Sequence, residues 1–251
     1  MRRKAAIWAG AAVAAGLILG APASAQESRQ ARAERAQQAQ VLESFGGAYS
    51  GPQADYVSRI GERMAVVAGL GAGRCTFTLV NSQVVNAFAA PPGCHVYVTR
   101  GLLSLMNSEA ELAAVLGHEV GHVAANHAGR QRNQQVATGL AAALVGALSG
   151  SELVGEVAGK AAQLGVLSYS RNQEFEADNL SLHYLPLAGY DPEGLAAALA
   201  ALGREDAFTA RTSGGGRGMP VWASTHPLTA DRIRRAEQGA EAPAADPRLE
   251  I

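Results

Sequence analysis

Aromatic residues are scarce in this 251-residue chain, at 5%, and there are only two cysteines. Two cysteines allow one bridge and exclude a multi-disulfide scaffold. Neither belongs to a C-x-x-C pair, so a cysteine-based zinc site is not expected. An excess of charge is missing too: 21 basic and 22 acidic residues leave a net −1. Without a basic surplus there is nothing to hold a polyanion, and nucleic acid is not expected as a partner. No apolar run reaches the roughly 20 residues that a bilayer span requires, the nearest being residues 5–20. Aliphatic residues are plentiful, with 48% hydrophobic and 17% charged, enough for one globular domain with a sizeable core.

Met1-Arg2-Arg3-Lys4, the apolar stretch 5–20 and Ala23-Ser24-Ala25 follow the layout of a secretory signal peptide cleaved after Ala25. No cysteine follows the cleavage position, so lipid attachment is not expected there. Removing residues 1–25 leaves 18 basic and 22 acidic residues, a mildly acidic protein. Export places the two cysteines in an oxidising compartment, where they can bond. Cys75 and Cys94 both open short alternating segments that read as strands of one small sheet. Pairing requires the two strand starts to lie side by side. It fails if the 84–89 segment lies between them as a third strand, because a disulfide needs Cα atoms within about 7 Å.

Residues 26–50 are polar and rich in Gln and Ala, and are expected to form a loosely docked helix. The 52–70 stretch begins with Pro52, repeats Val57, Ile60, Met64 and Val67 at helical spacing, and stops at Gly69 and Gly71, which predicts a packing helix. Asn86-Ala87-Phe88-Ala89 then leads into the turn Pro91-Pro92-Gly93. The sheet here is either plain scaffold or an edge that offers its backbone to an extended peptide, with Asn86, Ala87, Phe88 and Ala89 as the substrate-binding segment.

The chemistry is concentrated between Ser108 and His127. Ser108 with Glu111 three residues on is a capping-box pair that predicts a helix start. Leu112, Val115, Leu116 and Val120 recur at helical spacing and should be buried. Within that helix lies His118-Glu119-Val120-Gly121-His122, an H-E-x-x-H motif. Residues four apart share a helix face, so both imidazoles can reach one ion. Glu119 sits beside that face, where it can act as a general base without binding the metal. The longer H-E-x-x-H-x-x-G-x-x-H pattern is excluded, because positions 125 and 128 are both Ala. His127 lies five residues past His122, about 140° round a continuous helix, which takes it off the ligand face and makes it a polar surface residue or a companion to a ligand. A third ligand must come from elsewhere.

Residues 137–167 are apolar, rich in Gly and Ala, and interrupted by polar residues, which argues against a bilayer span. Two short helices packed on the motif helix are the favoured reading; a mobile hydrophobic lid or a peripheral contact with a membrane surface is the other. Ser170 with Gln173 is a second capping box. In the helix it starts, Glu174 and Asp178 share a face while Glu176 points off it. Glu174 is assigned as the third metal ligand. Asp178, one turn on, can accept the free ring N–H of a ligating histidine. Asp191-Pro192-Glu193 opens a further helix. The Gly-rich stretch 212–218 delivers Met219 to Pro227, and the tail 240–251 is expected to be disordered.

These motifs resemble the HtpX-like and CAAX-prenyl-protease-like zinc metallopeptidases, in particular their soluble periplasmic members. The resemblance rests on Asn86-Ala87-Phe88-Ala89 with Pro92-Gly93, Gly101-Leu102-Leu103, His118 to His122, Tyr169-Ser170-Arg171 with Glu174 to Asp178, and Ser224-Thr225-His226-Pro227 with Arg232-Ile233. It implies an α+β, predominantly helical zincin domain over residues 51–239, with a small sheet beside the active-site helix. One Zn²⁺ per chain would be held by His118, His122 and Glu174. Glu119 would be the catalytic base and the periplasm the location. Cys94 stands where the family usually has Gly, which gives mild support to a bond with Cys75. The resemblance also places His226 near the active site, where it could donate to an oxyanion or occupy the open metal position. Arg232 could brace its loop or meet a substrate carboxylate. The expected activity is endopeptidase cleavage of extended or misfolded envelope polypeptides. The alternative is a non-proteolytic envelope chaperone or adaptor whose zinc site is occluded by His226. Cleavage of prenylated peptides is disfavoured, since no span presents them.

Overall fold

The computed structural model describes residues 23–134, 169–212, 221–228 and 230–241. Most of the expected leader, the whole 137–167 segment and the tail from 242 lie outside the described residues. The chain divides into two compact units, 1–40 and 41–251. The first contributes most of helix α1 (Ala23–Ser44), whose described residues include no buried side chain.

In the second unit, helix α2 (Pro52–Val67) starts on Pro52 and buries Val57, Ile60 and Met64, the stripe its periodicity predicts. Three strands follow: β1 (Cys75–Val80), β2 (Ala87–Ala90) and β3 (Cys94–Thr99). Their order is β1-β3-β2, with β1 parallel and β2 antiparallel to the central β3. This order puts β2 on an edge and sets Cys75 opposite Cys94, with Cα atoms 4.6 Å apart and a disulfide between them. Segment 84–89 therefore passes on the far side of β3. Along the outer face, Phe88 stacks between Phe45 and Tyr97, with ring centroids at 5.1 and 5.3 Å.

The oxygen of Thr99 caps helix α3 (Arg100–Leu105) by accepting from the Leu102 N–H at 3.1 Å. Helix α4 (Glu109–Ala124) begins at Ser108, whose hydroxyl accepts from Glu111 N at 3.1 Å. Only this half of the expected capping box forms: the Glu111 carboxylate takes the Asn107 N–H, one residue before the cap, at 2.9 Å. Every residue of α4 from Glu111 to His122 is buried, which exceeds the single apolar stripe of the sequence. Helices α2, α5 (Arg171–Leu187) and α6 (Glu193–Thr212) and strands β2 and β3 all pack against it, so it is enclosed as a central helix is.

Helix α5 opens on a complete capping box: Gln173 N donates to Ser170 Oγ at 3.3 Å, and Ser170 N donates to Gln173 Oε1 at 3.0 Å. The close approach of α4 and α5 depends on Gly121, where an added Cβ would lie 3.2 Å from the Ala177 carbonyl oxygen and 3.3 Å from Leu180 Cβ. Ser181 ties the same pair by donating to Ala114 O at 2.8 Å. A further helical run occupies 127–134, and helices α7 (Val221–Thr225) and α8 (Ala230–Glu241) stand at the far end of the described residues. Trp222, Arg232 and Ala236 from this end are buried. The result is a mostly helical α+β domain with a three-stranded sheet beside its central helix.

Candidate metal centre

His118 and His122 project from the same side of α4, and their Nε2 atoms lie 3.0 Å apart. Helix α5 brings Glu174 to them: Oε2 is 3.5 Å from His118 Nε2 and Oε1 is 3.4 Å from His122 Nε2. The short turn after α7 adds His226, whose Nδ1 is 3.3 Å from His118 Nε2 and 3.1 Å from Glu174 Oε1. All four side chains are buried, and their ligand atoms lie within 4.8 Å of one another. Zinc bonds of about 2.0–2.1 Å in a tetrahedron put neighbouring donors about 3.3 Å apart, and these separations match that figure. The residues therefore fit a zinc ion.

The electrostatics agree with a cation site. Burial alone would push the His118 ring down, but hydrogen bonding to Asp178 and Glu174 outweighs it and lifts the ring to about 9. Burial would likewise raise Glu174, yet His118, His122 and His226 hold its carboxylate far below the usual range. For His122 burial prevails, reinforced by the two neighbouring histidines, and the ring is held well below its ordinary value despite Glu174. A divalent cation competes for the position that the His118 proton otherwise takes.

Behind His118, Asp178 Oδ1 sits 2.9 Å from Nδ1. That contact makes Nδ1 the protonated nitrogen and turns the Nε2 lone pair toward the site. Asp178 is in turn gripped by Arg232, through Nε to Oδ2 and Nη2 to Oδ1, both at 2.7 Å. Arg232 Nη1 also reaches Glu174 Oε2 at 2.6 Å and donates to Pro227 O at 3.4 Å. It thus braces the His226 loop, one of its two expected roles, and in addition neutralises two carboxylates. Burial works against the charge of Asp178, but Arg232 and His118 keep its pKa below the ordinary value.

His127 is not on the surface. It is fully buried, with Nδ1 2.7 Å from His122 Nδ1. It lies off the ligand face, as expected, and of its two expected roles takes that of companion to a ligand: α4 ends at Ala124, Asn126 takes φ 50°, and a new helical run begins at His127. Asn tolerates that region better than other non-glycine residues, and it was the available signal in the sequence. Tyr169 stacks on a face of the His122 ring, with centroids 3.9 Å apart. Burial, with Glu119 and Glu174 adding to it, raises the Tyr169 hydroxyl well above its ordinary value.

Glu119 is fully buried and lies between sheet and ligands. Its Oε2 accepts from the Ala89 N–H at 3.0 Å, while Oε1 has no hydrogen-bond partner among the described residues and is 3.5 Å from His226 Nε2. Of the four residues expected to bind substrate, Ala89 reaches the site directly, through its N–H to Glu119 Oε2. Ala87 is buried on the same edge strand. Phe88 faces the aromatic stack, and the Asn86 main chain is held by Thr99 through N–H to Oγ1 at 3.0 Å and Thr99 N–H to O at 3.0 Å. The Asn86 Oδ1 is buried without a hydrogen-bond partner among the described residues. A cavity of about 250 Å³ lies beside this edge, lined by Ala89, Pro91, Val123, Arg132 and Tyr169 among others.

Fold and site together define a metallopeptidase domain in which an H-E-x-x-H helix is completed by a glutamate from a second helix. The profile of peptidase family M48 matches residues 52–240, and the chain belongs to that family. It is similar to the "Beta-barrel assembly-enhancing protease" of Yersinia pestis, at 28% identity over 194 residues, covering 74% of this chain and 38% of that protein. It is also similar to the "Mitochondrial metalloendopeptidase OMA1" of Arabidopsis thaliana, at 33% over 160 residues, 64% of this chain and 30% of the relative. The protein of the same name from Schizosaccharomyces pombe is 32% identical over 187 residues, 74% and 53%. The chain thus spans between about a third and about a half of the length of these relatives. None of the described helices is long and apolar enough to cross a membrane.

Proposed function

We propose that the protein is a zinc-dependent endopeptidase, exported to the periplasm, that cleaves extended or misfolded envelope polypeptides. The observation that carries this reading is the position of Glu119, which joins the edge strand through Ala89 while its buried Oε1, without a hydrogen-bond partner among the described residues, faces the ligand cluster. Zinc held by His118, His122 and Glu174 would supply Lewis acidity toward the scissile carbonyl. Glu119 takes the proton from the attacking water at Oε1 and passes it to the departing amine. The Ala89 N–H fixes the other carboxylate oxygen, so the base is oriented before substrate arrives. An extended peptide adds along β2, with Ala87 offering its backbone groups, Ala89 its carbonyl alone because its N–H is held by Glu119, and Asn86 contributing through its side-chain amide. Glu119→Gln should retain zinc and lose cleavage of an unfolded polypeptide by about 10²–10⁴-fold. Full cleavage by that variant would exclude the mechanism.

A second reading is favoured by one observation: His226 Nδ1 already stands among the ligand atoms. In this reading the open metal position is filled by His226, and the protein acts as a chaperone or adaptor. His226→Ala separates the possibilities. A rise in peptide cleavage indicates restraint by His226, and a collapse indicates that it stabilises the oxyanion. Undiminished protection of an aggregating client by Glu119→Gln, with no cleavage by the parent protein, would establish the chaperone.

A further inference from the structure

We infer that His127 is the positioning residue for the second metal ligand, acting through a relay that runs from His122 to the protein surface. This rests on the assignment of His122 as a zinc ligand and extends it to residues outside the motif. Metal-bound histidines usually give their remaining N–H to a carboxylate, a carbonyl or water, and His118 does so with Asp178. His122 instead meets another imidazole, Nδ1 to Nδ1 at 2.7 Å. Two ring nitrogens at that distance share one proton.

If His122 turns its Nε2 lone pair to the metal, Nδ1 must carry the hydrogen and donate to His127. His127 Nδ1 then holds a lone pair, and its hydrogen sits on Nε2, which donates to Glu176 Oε2 at 3.2 Å. The same oxygen accepts from Arg130 Nη2 at 2.7 Å. All three contacts are satisfied by this one arrangement, and it leaves no donor facing a donor. Gln173 Nε2 secures the start of the 127–134 helical run by donating to the His127 carbonyl at 3.3 Å. His127 is fully buried, whereas the side chains of Arg130 and Glu176 are about half exposed at 49% and 45%. The relay therefore begins at the ligand cluster and ends in solvent, and Glu176, which points off the ligand face, has a function for that reason.

The test measures zinc affinity of the full chain by chelator competition, together with the visible spectrum of the Co²⁺-loaded protein. His127→Leu keeps the volume but removes the acceptor, and should weaken zinc binding about 10–100-fold and shift the Co²⁺ bands. In His127→Asn the Oδ1 can accept from His122 in place of Nδ1, and affinity should return to within a few-fold of the parent. Glu176→Ala changes a side chain that is about half exposed, leaves the packing around His127 in place, and should weaken affinity by a smaller factor in the same direction. Parental affinity and spectrum in both His127→Leu and Glu176→Ala would overturn the proposal. So would equal losses in His127→Leu and His127→Asn, since packing alone would explain them. Failure of the parent itself to bind zinc would instead remove the metallopeptidase reading, and the two failures are thereby distinguished.

Discussion

The two histidines of α4 aim the same ring nitrogen at the same point, but what stands behind them differs. Behind His118 is a closed arrangement of Asp178, Arg232 and Glu174, in which every charged group is buried and paired. Behind His122 is an open one, in which a neutral buried ring passes the contact on to Glu176 and Arg130 at the surface. Charges that cannot reach water must be compensated in place, and removing one partner strands the others. Charges at the surface are solvated and their pairing contributes little. The difference teaches that the charges behind His118 are compensated inside the core, whereas the contact behind His122 is completed at the surface.

The comparison breaks most severely at Arg232. Arg232→Ala removes the guanidinium shared by two buried carboxylates, leaving Asp178 and Glu174 with histidine partners only, and is expected to cost about 3–5 kcal/mol in urea unfolding. A change below 1 kcal/mol would mean that the closed arrangement does not carry the stability assigned to it. A middle-sized effect should appear with acid. The Asp178 pKa is lower in the folded chain than in the unfolded one, so its contribution is complete above the unfolded value near 4 and is lost as pH falls through the folded value. Glu174 shifts in the same direction. Unfolding free energy should therefore drop below about pH 4, and Asp178→Asn should flatten that drop while lowering stability at pH 7. A parallel pH profile in the variant would contradict this. The smallest effect belongs to Arg130→Ala, expected to change stability by under about 1 kcal/mol and to lose even that in 0.5 M salt. A loss as large as that of Arg232→Ala would erase the contrast between the two sides.

Much of the site was legible because its geometry is local. The i, i+4 spacing puts His118 and His122 together on any helix, and the face argument in α5 selects Glu174 and Asp178 over Glu176. The packing helix α2 followed from its periodicity. Less local features were not accessible. The burial of α4 on all sides depends on which elements surround it, and Ala113, Ala114 and Gly117 give no sign of that in sequence. Arg232 is 54 residues from Asp178, so only the fold shows that its guanidinium closes the pocket. His127 was expected off the ligand face and is found there, but its choice of His122 as partner depends on the break after Ala124 and φ 50° at Asn126, which a helical wheel does not contain. The strand order decided whether Cys75 and Cys94 could meet, and strand order is set by long-range pairing.

Gly121 belongs to the H-E-x-x-H motif but carries no chemical group. Its missing methyl works as a caliper between two helices. A Cβ there would force the Ala177 carbonyl to give by a few tenths of an ångström, and α5 is a single rigid rod carrying Glu174 and Asp178 one turn apart. The same displacement would thus reach a ligand and the support of another ligand at once. Tolerance at this position is set by helix spacing, and a methyl group that touches no metal donor could detune all of them together.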